Sequence, residues 1–182
     1  MRKSKPTKEL VKHQKWVDNE IKTKGKCVLN EYLIAKKSKI HGIGVYALKN
    51  IKKETKVIEY VGEKIRKDET DRRSKKNYVY IFTLNKIWDV DGKVGGNGSQ
   101  YINHSCNPNC ETDVIKNRIW IIAFKAIKKG EEIIYDYGYD FDKDYEDHPC
   151  KCGSKGCVKY IIVSNHWKKL KKAEEKKLHK VK

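Results

Sequence analysis

Tyr101-Ile102-Asn103-His104-Ser105-Cys106-Asn107-Pro108-Asn109 is the densest run of chemistry-bearing side chains in this 182-residue chain. Two further runs follow it: Tyr135-Asp136-Tyr137-Gly138-Tyr139, and Cys150-x-Cys152-x4-Cys157. His104 beside Ser105 and Cys106 does not make a nucleophile and base, because neighbours in sequence seldom present their side chains to each other as a catalytic pair must. Three tyrosines at a spacing of two share one face of a strand, a stripe that also serves plain core packing.

The cysteines speak for metal. No apolar run approaches bilayer length and the first thirty residues lack a secretory stretch, so an intracellular setting is expected, where clustered thiols seldom form structural bridges. In Cys150-x-Cys152-x4-Cys157, Gly153 and Gly156 allow the tight backbone that brings three thiolates to one tetrahedral ion. A closed structural zinc site needs a fourth ligand, and Cys106, Cys110, His148 and His104 are all available by spacing. Cys27 stands apart as an ordinary buried thiol.

Outward from these motifs the texture is β. Short strand-type runs occupy Val28–Ala35, Gly44–Leu48, Lys56–Tyr60, Tyr78–Leu84, Ile119–Phe124 and Glu132–Tyr135. Turn signals break them at His41-Gly42, Asp91-Gly92, Gly95-Gly96 and Lys129-Gly130. Residues 47–58 (ALKNIKKETKVI) echo residues 123–134 (AFKAIKKGEEII), each reading as strand, basic turn, strand. No strands alternate with long helices, so the expected class is a mostly β single domain of small sheets with a few helices. Leu10, Val17 and Ile21 mark a peripheral helix over about 7–24, with Trp16 as its anchor. From Ser164 the chain is a Lys-rich helix or tail around Trp167 and Leu170.

The net charge of +18 sits mainly at the ends: +6 on residues 1–30 and +7 on residues 159–182. Such ends favour a polyanion such as nucleic acid, although lysine-rich termini also serve solubility alone. Residues 131–147 invert the balance, with eight acids against the single Lys143. An acidic strip beside the tyrosines suits a basic peptide.

Taken together, the motifs resemble the SET-domain family of protein-lysine methyltransferases. His41-Gly42-Ile43-Gly44-Val45 looks like its H-G-x-G turn, Glu59-Tyr60-Val61-Gly62-Glu63 like its E-Y-x-G-E strand, and Tyr80-Ile81-Phe82 like its Y-x-F strand. Asn103-His104-Ser105-Cys106, Asp136-Tyr137-Gly138 and the post-SET cysteine motif follow in the family's order, across about residues 30–162. The resemblance implies a SET fold with pseudoknot-like C-terminal threading and a post-SET zinc knuckle. It implies a basic extension at 1–29, a SET domain at 30–142, a post-SET zinc segment at 143–162 and a basic tail at 163–182.

The same resemblance implies residue roles. S-adenosylmethionine, the methyl donor, would lie against His41, Gly42, Ile43, Gly44, Tyr80, Asn103 and His104, the glycines letting backbone approach it. Tyr137 would be the catalytic tyrosine, and Tyr60, Phe82, Tyr135 and Tyr139 would line the lysine channel. One zinc ion would be held by Cys106, Cys150, Cys152 and Cys157, leaving Cys110 free. Free lysine has a pKa near about 10.4, so a narrow aromatic channel that strips water from the ammonium helps it lose its proton. Tyrosine at 135 implies mainly monomethylation. Histone tails are the expected substrate, nucleic acid or the nucleosome a further contact, and the nucleus the expected location. No cysteine-rich cluster precedes residue 30, and the short charged stretch between Glu63 and Tyr78 leaves little room for a substrate platform. The competing readings are a catalytically silent zinc-containing chromatin module, which would be expected to have lost Tyr137 or Asn103-His104, and a self-sufficient zinc-knuckle nucleic-acid binder.

Overall fold

A computed structural model describes residues 5–74 and 80–180. Eleven strands and three helices are found among them: α1 (Lys8–Lys24), β1 (Lys26–Val28), β2 (Leu33–Lys37), β3 (Ile43–Ala47), β4 (Lys56–Tyr60), β5 (Glu63–Arg66), α2 (Lys67–Arg73), β6 (Ile81–Thr83), β7 (Trp88–Asp91), β8 (Asn103–His104), β9 (Cys110–Ile115), β10 (Arg118–Ala123), β11 (Glu132–Tyr135) and α3 (Trp167–Lys180). The mostly β class with several small sheets is what the chain adopts.

The larger sheet runs β1-β2-β3-β11-β9-β10-β4, with β8 also on β11, and the smaller runs β5-β7-β6. β11 is the last strand in the chain and lies between β3 on one side and β8 and β9 on the other. Its register sets Ile134 against Asn103 and Tyr135 against both His104 and Cys110. The alternating apolar residues of β3, β10 and β11 supply a core that includes Val45, Ile121 and Ile133, none with any exposure. Each such side chain contributes about 1.5–3 kcal/mol by leaving water.

The internal echo has a structural meaning. Ile51 and Ile127, equivalent in the two copies, exchange backbone hydrogen bonds of 2.8 and 2.9 Å. The N–H of Gly130 donates to the Ala47 carbonyl, as the N–H of Glu54 does to Ala123. Both turn residues are left-handed, at φ 86 and φ 67. A local two-fold arrangement results, and Glu54 accepts a conformation that glycine adopts at no steric cost.

Several expectations change. The run Val28–Ala35 is two strands, because the Asn30 side chain accepts the Tyr32 N–H (2.8 Å) and turns the chain. Of Tyr78–Leu84 only Ile81–Thr83 is strand, and Tyr78 and Val79 lie outside the described residues. Trp16 is 46% exposed and, among the described residues, stacks on His13 alone, so it is no anchor for α1. That task falls to buried Val17, and to Gln14, whose amide donates to the Lys93 carbonyl (2.7 Å) and accepts the Gly95 N–H (2.6 Å).

The charged stretch after Glu63 is also organised. It forms β5 and α2, which are fixed by inward-facing acids. Arg73 reaches Asp91 (2.5 Å), Glu63 (2.8 Å) and Glu69 (2.9 Å), while Lys67 meets Asp89 (2.5 Å). Asp89 and Asp91 are buried on β7, so these pairs bind α2 to the small sheet. The compensated charges hold the sheet only while every member is present.

Candidate functional site

Two cavities meet at one side chain. The first is lined by Ile40, His41, Asn103, His104, Tyr137 and the 147–151 segment. The second is lined by Tyr60, Phe82 and Thr83 on one side and Tyr135, Tyr137 and Tyr139 on the other. Tyr137 belongs to both.

The tyrosines do not share a strand. β11 ends at Tyr135, and Gly138 adopts φ 70, so Tyr137 and Tyr139 stand on irregular chain. Their rings still form a run: Tyr135 to Tyr137 is 5.0 Å and Tyr137 to Tyr139 6.1 Å between centroids. Phe82 faces Tyr60 at 5.4 Å and Tyr135 at 6.1 Å, closing the opposite wall. The Tyr137 hydroxyl donates to the Ile102 carbonyl (2.9 Å), and the Tyr60 hydroxyl to the Tyr80 carbonyl (2.8 Å). Burial, with neighbouring tyrosines adding to it, holds Tyr60, Tyr135 and Tyr137 well above the ordinary phenol range. These rings stay protonated at neutral pH and act as donors and walls rather than bases.

Asn103 ties the first cavity together. Its amide donates to the His41 carbonyl (3.3 Å), the Ile43 carbonyl (3.1 Å) and Glu132 Oε1 (2.8 Å), so its side chain shapes the turn. Glu132 also accepts the Ser38 (2.8 Å) and Tyr46 (2.9 Å) hydroxyls. A Cβ on Gly44 would lie 2.2 Å from Glu132 Oε1. A side chain at Gly44 would therefore press on a carboxylate behind the turn. Gly42, Ile43 and Gly44 are not among the residues lining the cavity, and Tyr80 lines neither cavity but gives its carbonyl to the Tyr60 hydroxyl and the Gly92 N–H. Ile40 and Lys151 escaped the sequence reading, while His148 entered only as a possible zinc ligand and Glu132 only as one acid of the strip. Only the H-G-x-G and post-SET motifs beside Ile40 and Lys151 could have flagged those two.

The cysteine cluster abuts this cavity. The sulfurs of Cys106, Cys150, Cys152 and Cys157 all lie within 4.8 Å of one another. Cys106 is 3.7 Å from Cys150 and 3.9 Å from Cys157. Zinc–sulfur bonds of about 2.3 Å set tetrahedral ligands about 3.8 Å apart, so four thiolates here fit zinc. Burial pushes the Cys106 thiol up to about 12. At Cys152 burial is outweighed by hydrogen bonds from the Ser154 hydroxyl and the backbone, which bring it down to about 6. Cys110 sits in the apolar core, where burial pushes it up to about 12, and Cys27 is likewise buried.

His104 bridges the two regions. Its Nδ1 accepts the Tyr137 N–H (3.2 Å), which leaves Nε2 to carry the proton beside Cys106 Sγ at 3.6 Å. Burial lowers its pKa, against the pull of Asp136, so the ring is neutral. The acidic strip is partly inward: Glu132 is consumed by the turn, whereas Asp140, Asp142, Asp144, Glu146 and Asp147 are exposed.

The SET domain family model matches residues 42–138. The chain is 40% identical over 141 residues to histone-lysine N-methyltransferase 2D of Homo sapiens, covering 72% of this chain and 2% of that protein. It is 41% identical over 141 residues to histone-lysine N-methyltransferase trr of Drosophila melanogaster, covering 72% and 6%. Over 136 residues it is 38% identical to the histone-lysine N-methyltransferase, H3 lysine-4 specific, of Aspergillus oryzae, covering 69% and 11%. The chain therefore matches only a small part of these curated relatives' length. Among the described residues, no helix is long and apolar enough to cross a membrane.

Proposed function

The chain belongs to the SET-domain family, and on that premise we propose that it is an S-adenosylmethionine-dependent protein-lysine N-methyltransferase acting on histone tails and adding mainly one methyl group. The observation that carries this reading is Tyr137, which lines both cavities and so stands where donor and acceptor would meet. The first cavity mixes Ile40 and Ile161 with His41, Asp147 and Lys151, which suits a ligand that is part base and sugar, part charged amino acid.

Bound S-adenosylmethionine would supply an electrophilic methyl carbon whose sulfonium leaves as a thioether when the lysine nitrogen takes the methyl group. The chain's residues supply alignment and dryness. Tyr60, Phe82, Tyr135 and Tyr139 strip water from the lysine head, which lowers its pKa and frees the nitrogen lone pair. Neutral tyrosines take no proton, so the amine loses its own to solvent before attack. Carbonyl and hydroxyl oxygens around Tyr137 hold the methyl group through weak C–H···O contacts, and alignment provides the larger share of the acceleration. The Tyr135 hydroxyl occupies space that a methylated amine would need, hence the single methyl group.

One zinc ion on Cys106, Cys150, Cys152 and Cys157 would pin the post-SET segment beside the donor cavity. The assignment of residues 30–142 to the SET domain and 143–162 to the zinc segment follows, with residues 1–29 and 163–182 as basic extensions. The exposed acids of 140–147 fit a basic tail. One relative is named for H3 lysine 4, which makes that peptide the first to try. Chromatin, and hence the nucleus, is the corresponding setting, with nucleic acid met by the basic ends.

The test is methyl transfer to core histones, nucleosomes and an H3 tail peptide, with Tyr137→Phe alongside and mass spectrometry of products. Label on lysine, mostly monomethyl and reduced at least about 100-fold in the variant, is the expected result. If zinc-loaded protein fails to bind S-adenosylmethionine, the enzyme reading falls and the silent chromatin module takes its place.

A further inference from the structure

We propose that the cleft between the zinc knuckle and α3 seats the phosphate backbone of duplex nucleic acid. Its floor is apolar and aromatic, from Val158, Tyr160 and Trp167, and its rim carries Lys159, Lys168 and Lys171.

α3 is fixed in place mainly through its inner face. Leu170 is buried with Tyr145 and Ile162, and the Trp167 indole donates to the Ile162 carbonyl (2.9 Å). The Tyr145 hydroxyl donates to Glu174 (2.5 Å), and Lys177 donates to that same hydroxyl (2.6 Å). Leu170, Glu174 and Lys177 are three or four residues apart and so share one side of the helix. Lys168, Lys169, Lys171, Lys172 and Lys176 are left exposed, with Glu175 the one exposed acid among them. Glu174, the one acid lining the cleft, is already committed to Tyr145 and Lys177.

The knuckle adds to this charge. Lys151, Lys155 and Lys159 are exposed on it. Lys159 is held left-handed, at φ 72, because its carbonyl accepts the Cys150 N–H (2.7 Å) while its own N–H lies 3.4 Å from Cys157 Sγ. The cysteine geometry therefore fixes where one rim lysine stands.

A polyanion fits better than an acidic protein. From Lys168 to Lys176 the helix rises about 12 Å, matching roughly three to four phosphates of one strand. Among the described side chains of α3, the exposed ones from 168 to 176 are five lysines and Glu175, with no amide group to select particular acidic side chains. α1 is the weaker candidate, since Glu9, Asp18 and Glu20 are mixed among its lysines and Glu20 pairs with Lys24 (2.9 Å).

This sharpens the reading that the basic ends meet nucleic acid, and its test needs no methyl transfer. Zinc-loaded full-length chain is titrated with a fluorescein-labelled duplex of about 20 base pairs over about 50–200 mM salt, read by anisotropy. The expected slope of log affinity against log salt is about −4. The triple reversal Lys159→Glu, Lys168→Glu, Lys171→Glu should weaken binding at least about 10-fold and flatten the slope by about 3. Lys12→Glu with Lys15→Glu on α1 should change binding less than about 2-fold. An unaltered urea midpoint and unaltered H3-peptide methylation in the triple variant would separate this site from the enzyme reading. Unchanged duplex binding by the triple variant overturns the proposal, as does polyglutamate binding as tightly as the duplex.

Discussion

The two walls of the aromatic cavity rest on different physics. The Phe82 wall stands on the small sheet β5-β7-β6, which is held to α2 by buried ion pairs centred on Arg73. The tyrosine wall begins at the centre of the larger sheet and continues into chain that His104 ties to the cysteine cluster. One wall depends on charges that must all be present, the other on apolar packing and the four clustered cysteines. Each should fail under a different insult, which makes the contrast testable.

The largest effect should come from metal removal. Chelation, or Cys150→Ser, is expected to abolish methyl transfer and weaken S-adenosylmethionine binding by about 10–100-fold, because His104 joins the cluster to the Tyr137 backbone. The far-UV circular dichroism of the larger sheet should persist, since the buried cluster from Leu33 to Tyr135 contains no ligand cysteine.

Arg73→Met strikes the opposite wall. It removes the guanidinium that meets Glu63, Glu69 and Asp91, of which Asp91 has no exposure, and should cost about 3 kcal/mol in a urea titration. Ile81 is registered against Asp91, so Phe82 loses its support and the Michaelis constant for peptide should rise while zinc content stays unchanged.

A smaller change is expected from Tyr135→Phe, with stability altered by less than about 1 kcal/mol. Mass spectrometry should show the product moving from monomethyl towards dimethyl and trimethyl lysine.

The smallest effect is on alkaline stability. Burial raises the folded-state values of Tyr60, Tyr135 and Tyr137, so the unfolded chain ionises first. Their contribution is intact below about pH 10 and is lost as pH rises beyond it, which pH-dependent denaturant midpoints will show.

How much was legible follows the same division. β4 and β11 were readable because VIEY and EIIY alternate or run apolar between clear turn signals. β5, α2 and β7 were not, because their buried residues include Asp89, Asp91 and Glu69, which read as solvated until Lys67 and Arg73 arrive from elsewhere. β9 and its hairpin to β10 were hidden too, although β10 itself was read as Ile119–Phe124. The hairpin's turn residues Lys116 and Asn117 adopt φ 50 and φ 60 without a glycine to announce them. At the candidate site, motif order pointed to the cysteines and tyrosines. Spacing alone left the fourth ligand open among Cys106, Cys110, His148 and His104. The family motif pointed to Cys106, and the fold sends that sulfur to the cluster and Cys110 to the core. Glu132 counted as part of an acidic strip until the β3–β11 pairing turned it behind the His41–Gly44 turn.

The central place of β11 has a consequence for how the chain is made. A growing polypeptide would emerge with β3 and β9 already synthesised and no partner between them, because the strand that joins them comes last. Ile133 pairs with Val45 across 88 residues of chain, and closing so long a loop is slow. Until residue 135 has left the ribosome, both edges stay open to pairing with other chains. The protein is therefore expected to lean on chaperones during translation, and slowing synthesis between residues 100 and 135 should lower its soluble yield more than slowing it over α3.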